Sequence, residues 1–258
     1  MEALSAWFAG LRAESPGREV VTVIGSGGKT SLIWLLAKTA ALRPGCRSVL
    51  VSPTTKMQIP PREAGFWDRF LEGPDCPPAP AEPGVTLAGL SDTSTGKLES
   101  LPEAVLATLA SGYDLVLLEG DGSRTLPLKA WADFEPVVPD YTSLTVGILP
   151  LRPLGRAVSE DFVHRLPLFT ALSGAAPGEI LGPDHLVRVI TGRENARGLF
   201  AAARGERVLF FNQVEDAAGA ELARQVASRI PPSFRSGLRA IIAGSVRQDR
   251  VSVLGPAR

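Results

Sequence analysis

Lys29 and Thr30 directly follow a glycine cluster, Gly25-Ser26-Gly27-Gly28, and the chemistry that this combination can do is to hold a chain of phosphates. Glycines let successive backbone N–H groups converge on an anion with no Cβ in the way. The first turn of a following helix adds unpaired donors and the positive end of its dipole. In that setting Lys29 would reach the outer phosphate oxygens, and the Thr30 hydroxyl would be a ligand of Mg²⁺. Gly25, Ser26, Gly27, Gly28, Lys29, Thr30 and Ser31 are therefore the candidate phosphate-binding residues. The plain alternative is a glycine-rich turn whose lysine is solvated.

A second chemical stretch is Glu119-Gly120-Asp121-Gly122, at the end of the apolar run Leu115-Val116-Leu117-Leu118. An acid at the tip of a buried strand, opposite a phosphate-binding loop, can hold Mg²⁺ or its water shell. Glu119 and Asp121 lie two residues apart, on either side of Gly120. One would meet the metal, and the other would orient water or move with the glycine-flexible loop. Arg124 and Lys129 follow closely, where a cation would meet a second anionic ligand or the transferred charge, or would simply be solvated. Lys29, Asp121, Glu119 and Arg124 are thus the catalytic candidates, and Thr30, Asp121 and Glu119 the candidates for the metal.

Three weaker signals lie elsewhere. Ser52-Pro53-Thr54-Thr55-Lys56 leaves the end of an apolar strand, which makes Thr55 and Lys56 candidates for the terminal phosphate, or members of an ordinary turn. Asn212-Gln213-Val214-Glu215 also ends an apolar strand, where P-loop GTPases carry the base-reading Asn-Lys-x-Asp. Gln213 replaces the lysine and Glu215 the aspartate, so Asn212 and Glu215 are placed near a base without fixing which base. His164-Arg165 is a candidate substrate contact, with Lys56 and Lys129; His164 and His185 make no metal site without a third ligand.

These residues need a scaffold, and the spacing of apolar residues supplies one. Strands are predicted at 20–24, 48–51, 85–88 (as a short edge strand), 115–119, 143–149, 207–212, 238–245 and 250–254. Helices are predicted from Ala3 to Arg12, ended by Ser15-Pro16-Gly17, and from the glycine loop to about Leu42, ended by Arg43-Pro44-Gly45. Further helices are predicted over Leu98–Leu109, from the Ser159-Glu160-Asp161 cap, from Gly182, over Asn195–Ala203 and over Ala217–Arg229. Between Gln58 and Pro83 lie Pro77-Pro78, Pro80 and an aromatic group, Phe66, Trp67 and Phe70, which read as a surface excursion, either open to a partner or packed beneath it. Strands alternating with helices predict a three-layer α/β fold with a mostly parallel sheet. The expected organisation is one domain over 1–258, with a proline-rich excursion at 58–84 and a helical insertion at 152–204.

At 258 residues the chain can bury a large core, and its charge is balanced, with 27 basic against 27 acidic residues. That balance points away from nucleic acid and from an anionic membrane as main partners. Cys46 and Cys76 have neither metal-site spacing nor the number for a disulfide framework, which suits a reducing cytosol. Apolar runs are only strand-length, and neither a membrane span nor a signal peptide is expected.

The loop departs from G-x-x-x-x-G-K-[ST], because Val23 stands at the first glycine, and its shorter spacing resembles the ATP loop of the Mur ligases. With Thr54-Thr55-Lys56-Met57, Glu119-Gly120-Asp121-Gly122-Ser123-Arg124, Pro127-Leu128-Lys129, Val163-His164-Arg165 and Asn212-Gln213-Val214-Glu215-Asp216 in order, the chain resembles the YqeC family. The resemblance implies a cytoplasmic P-loop NTPase-like protein acting in the maturation or selenium loading of a molybdenum hydroxylase, with that enzyme or its cofactor-maturation proteins as partners. The family usually carries Asn-Lys where this chain has Asn212-Gln213. The reading carried forward is a Mg²⁺-dependent protein that binds ATP or GTP. Its rivals are a nucleotide-gated scaffold with little turnover and a small-molecule kinase or ligase.

Overall fold

β-Branched and apolar residues at 20–24 cannot all face one side of a strand, so a strand made of them must be covered on both faces. The computed structural model, which describes residues 2–13, 18–42, 48–73, 83–194 and 196–255, shows how. In chain order the elements are α1 (Leu4–Ala13), β1 (Glu19–Gly25), α2 (Lys29–Ala41), β2 (Ser48–Pro53), β3 (Lys56–Gln58), β4 (Arg69–Glu72), β5 (Gly84–Asp92) and β6 (Lys97–Glu99). Then come α3 (Glu103–Ala110), β7 (Leu115–Glu119), β8 (Leu128–Lys129), β9 (Leu144–Pro150), β10 (Val163–His164), α4 (Leu166–Ser173) and α5 (Pro183–Thr191). The chain closes with β11 (Glu206–Asn212), α6 (Ala217–Arg229), α7 (Pro232–Arg235), β12 (Ala240–Ser245) and β13 (Arg250–Gly255).

The main sheet runs β13-β12-β11-β9-β1-β7-β2-β5-β6-β3, with β4 also on β5. Pairing from β12 to β2 and on to β4 and β5 is parallel, and the antiparallel pairs are β12 with β13, β5 with β6 and β6 with β3. One face packs Val21, Val23, Val49, Leu117 and Phe210 against α1 and α2. The opposite face packs Ile24, Leu149, Leu209 and Phe211 with α4, α5 and α6, and Leu50, Val116 and Leu118 with α3. This is the α/β arrangement with helices on both sides of a mostly parallel sheet. β1 lies where the strand order reverses, since the chain moves to β2 and β5 on one side and to β9, β11 and β12 on the other. A ligand crevice is expected at the carboxyl ends of such strands.

Several local expectations change. Leu98 lies in β6 and not in a helix; the helix starts only at Glu103, after Pro102 caps it. Val85–Ala88 is interior, because β5 is flanked by β2 and by β4 and β6. The Ser159-Glu160-Asp161 segment forms turns, and α4 begins at Leu166. Residues 196–203 form a bridge and turns, not a helix. Phe66, Trp67 and Phe70 are partly buried against the α1/α2 core, with the Phe66 ring 5.5 Å from Trp34, so the partner-surface alternative loses its exposed aromatics. Cys46, Cys76, Ser15-Pro16-Gly17, Arg43-Pro44-Gly45, Pro77-Pro78, Pro80 and Asn195 lie outside the described residues. Among the described residues no helix is long and apolar enough to cross a membrane.

Candidate functional site

Sheet register gathers the candidate residues at one edge. Gly25 is level with Ile148, Val23 with Glu119, and Asn212 with Pro150. The loop leaving β1 is fixed from beneath: Gly25 N–H donates to both oxygens of Asp121 at 3.1 Å, and Ser26 N–H donates to Ile148 O at 3.0 Å. Ser26 Oγ donates to Pro127 O at 2.8 Å. Asn212 Nδ2 donates to Gly27 O at 2.8 Å and its Oδ1 accepts from Val246 N–H, so this side chain braces the loop. Gly25 has φ +102°, and a Cβ there would lie 2.2 Å from Ile148 O; Gly28 has φ +134°, and its Cβ would lie 2.3 Å from Asn212 Nδ2. Both positions therefore demand glycine.

Beyond Ser26 the donors have no such partners. Leu32 N–H is the first to enter the helical pattern, donating to Gly28 O at 2.9 Å. Among the described residues, the N–H groups of Gly27, Gly28, Lys29, Thr30 and Ser31 make no hydrogen bond to the protein. A helix leaves its first N–H groups unpaired in any case, and no acidic side chain stands in the first turn of α2 to compensate them. These five border an open cleft with Glu119, Arg124 and Thr125. Lys29 turns inward: its Nζ donates to Gly25 O at 2.7 Å and lies 3.4 Å from Asp121 Oδ1.

Glu119 and Asp121 divide their work. Glu119, at the tip of β7, accepts from Thr30 Oγ1 at 2.7 Å and is 5% exposed. Burial raises its pKa above the usual carboxylate range; Lys29 and Thr30 oppose that rise and Asp121 adds to it. A buried acid beside a hydroxyl at the mouth of an anion cleft is a fitting oxygen pair for a hard divalent cation. Among the described residues no group of three or more His, Cys, Asp or Glu side chains could hold a metal unaided.

Asp121 is enclosed instead. It accepts from Gly25 N–H, from Trp131 Nε1 at 2.6 Å and from Lys129 Nζ at 3.0 Å, beside Lys29. Lys129 is 0% exposed; its Nζ also meets Glu135 at 2.9 Å and Gly122 O, and Glu135 meets Arg165 at 2.6 Å. Burial alone would raise the Glu135 pKa, but hydrogen bonds from Arg165 and Lys129 outweigh it and hold the carboxyl below its usual range. Charges of alternating sign thus run from Lys29 to Arg165. The sequence marked Lys129 and Asp121 as ligand-facing; the structure turns both toward protein partners.

The other candidates are spread along the same edge. Arg124 is exposed, with no ion pair among the described residues, and Thr55, Arg165 and His164 border a second cleft next to it. Burial first, then Arg165, Lys129 and Arg124, lower the His164 pKa to about 4. Lys56 is a half-exposed partner of Asp92 and Glu99. Glu215 accepts from Ser245 Oγ at 3.3 Å, lies 3.3 Å from Arg152 and borders a third cleft, on the Asn212 side of the loop. Sequence reasoning missed Trp131 and Glu135, which anchor the ionic chain. No local pattern marks them; only β8 pairing with β10, which sets His164 against Lys129, brings their region together.

Comparison with known proteins agrees with this arrangement at the level of family. A family model described as YqeC protein matches residues 21–167, a span that holds the glycine loop, both acids and the His164-Arg165 pair. A protein of Escherichia coli (strain K12), described as an uncharacterized protein YqeC, is 33% identical over 176 residues, covering 66% of this chain and 67% of the relative. No solved structure matches significantly. On both the family model and this relative, the chain that carries the glycine loop and its two acids belongs to the YqeC family.

Proposed function

We propose that this protein binds a nucleoside triphosphate, ATP or GTP, together with Mg²⁺, and cleaves or transfers its terminal phosphoryl group. The observation that carries this reading is the row of five unengaged N–H donors from Gly27 to Ser31, next to Lys29 and at the start of a helix. Donors arranged in this way suit an anion with several oxygens. Thr30 and Glu119 would hold the metal, which supplies charge neutralisation to the phosphate oxygens when bound.

The protein's own part is positioning and electrostatics. A bond forms between the attacking oxygen and the terminal phosphorus while the bond to the bridging oxygen breaks, leaving a nucleoside diphosphate. Lys29 would exchange Gly25 O for a phosphate oxygen, and Arg124, exposed at the rim, would approach the transferred group. Asp121 serves as the anchor that keeps the loop open from below. Because both ends of the Asn212 amide already brace the loop, recognition of the base falls to the third cleft, where Glu215 and Gln213 lie. Family membership supports placing this activity in the maturation or selenium loading of a molybdenum hydroxylase, in the cytoplasm, with that enzyme or its maturation proteins as partners.

Nucleotide affinity and turnover measured for the wild type and Lys29→Ala test the reading. We expect a loss of about 100-fold in turnover in the variant. ATP and GTP binding the wild type no better than Lys29→Ala would refute it.

A further inference from the structure

The second cleft shares Lys56, Lys97, Gly122 and Arg124 with the phosphate cleft, so the 122–124 loop is a common wall between them. Its charges do not cancel. Lys56 is taken up by Glu99 and Asp92, and Arg165 by Glu135, whereas Lys97 and Arg124 have no carboxylate partner among the described residues. The cleft also has an apolar side: Phe134 is 71% exposed, Val137 is 40% exposed, and the Arg165 guanidinium lies 5.5 Å from the Phe134 ring centroid. In the same wall the Thr55 hydroxyl is buried with no hydrogen-bond partner among the described residues. Strained backbone occurs in this lining too, since Arg124 and Arg165 have φ of +51° and +61°. Non-glycine residues held in that region tend to mark ligand clamps.

We propose that this cleft receives the second substrate of the nucleotide reaction: a small molecule with a phosphate or carboxylate held by Arg124 and Lys97, and a flat apolar portion lying on Phe134. The proposal rests on the nucleotide reading, because Arg124 faces both clefts and would bring the two ligands together. It also assigns Phe134 a role that no motif suggested. A flat ring on an aromatic face beside a guanidinium gains from stacking and from the cation together.

The test uses the full chain saturated with Mg²⁺ and a non-hydrolysable triphosphate, so that the first cleft is filled. Phenyl phosphate, benzoate and neutral benzyl alcohol are then titrated and followed by saturation transfer to their ring protons. We expect one or both aromatic anions to bind in the millimolar range and benzyl alcohol not to bind; the tighter anion tells phosphate from carboxylate. Arg124→Ala should weaken binding about tenfold. Phe134→Ala should reduce phenyl phosphate to the affinity of inorganic phosphate. Failure of both anions to bind beside a bound nucleotide, or binding indifferent to Arg124→Ala, Lys97→Ala and Phe134→Ala, overturns the proposal and leaves the nucleotide reading standing. If the triphosphate itself does not bind, that reading falls, and the same titration on the nucleotide-free protein and its Phe134→Ala variant decides the cleft separately.

Discussion

Two polar regions lie side by side at the carboxyl edge of the sheet, and they are opposites. In the ionic chain from Asp121 through Lys129 and Glu135 to Arg165, each charge already has a protein partner. In the turn from Gly27 to Ser31, five donors have none among the described residues. Both regions are rich in polar groups near strand ends, and composition alone does not separate them. Their hydrogen bonds do. A buried charge without a partner is costly, so the enclosed region completes itself and becomes scaffold. The donors at the helix start stay hydrated until an anion replaces the water, and so they can become a site.

If that contrast is right, damage to the two regions should look different. The largest effect is expected for Lys129→Ala, which leaves Asp121 and Glu135 buried with less counter-charge and should cost about 3–5 kcal/mol of stability. A denaturation midpoint close to wild type would show that the chain of charges is not needed by the scaffold. Glu119→Gln should do the reverse. Because burial works against the charge of Glu119, the neutral variant should unfold no more easily, while turnover falls by about 100-fold; a variant that loses stability and keeps turnover would assign Glu119 to the scaffold.

A smaller effect concerns pH. His164 has its pKa lowered from 6.5 to about 4, so as pH falls through that window the unfolded chain takes up a proton that the folded chain refuses. Stability should therefore decline from pH 6.5 toward pH 4. His164→Gln should flatten that part of the curve, and an unaltered slope would show that the imidazole titrates freely. The smallest effect is expected at Lys56. Its side chain is 51% exposed in a surface pair, and Lys56→Ala should leave the melting temperature unchanged.

The same contrast explains what the sequence could reveal. β1, β7, β9 and β11 are legible because they are buried on both faces and so are written as nearly continuous apolar runs. The phosphate loop is legible because its glycines have a steric reason visible in the residue type. By contrast, Leu98, Leu101, Val105 and Leu109 imitate a helical stripe, although Leu98 is buried in a three-residue strand and the helix begins only at Glu103, after Pro102. β4 and β6, each short and half polar, left Val85–Ala88 looking like an edge. The division of labour between Glu119 and Asp121 was hidden because the strand ends at Glu119, so strand geometry does not place Asp121. Nothing in a lysine's identity signals complete burial either. Lys129 is buried because Asp121 and Glu135 meet it, with Glu135 also held by Arg165, 30 residues further on.

The most direct measurement is an amide NMR titration of the ¹⁵N-labelled chain with the Mg²⁺ complexes of ATP and GTP. The N–H signals of Gly27, Gly28, Lys29, Thr30 and Ser31 should move most for at least one nucleotide, and those of Gly25 and Ser26, already bonded to Asp121 and Ile148, should move less. Unmoved signals from Gly27 to Ser31 at saturating nucleotide, or changes confined to another part of the sheet, would contradict the central claim.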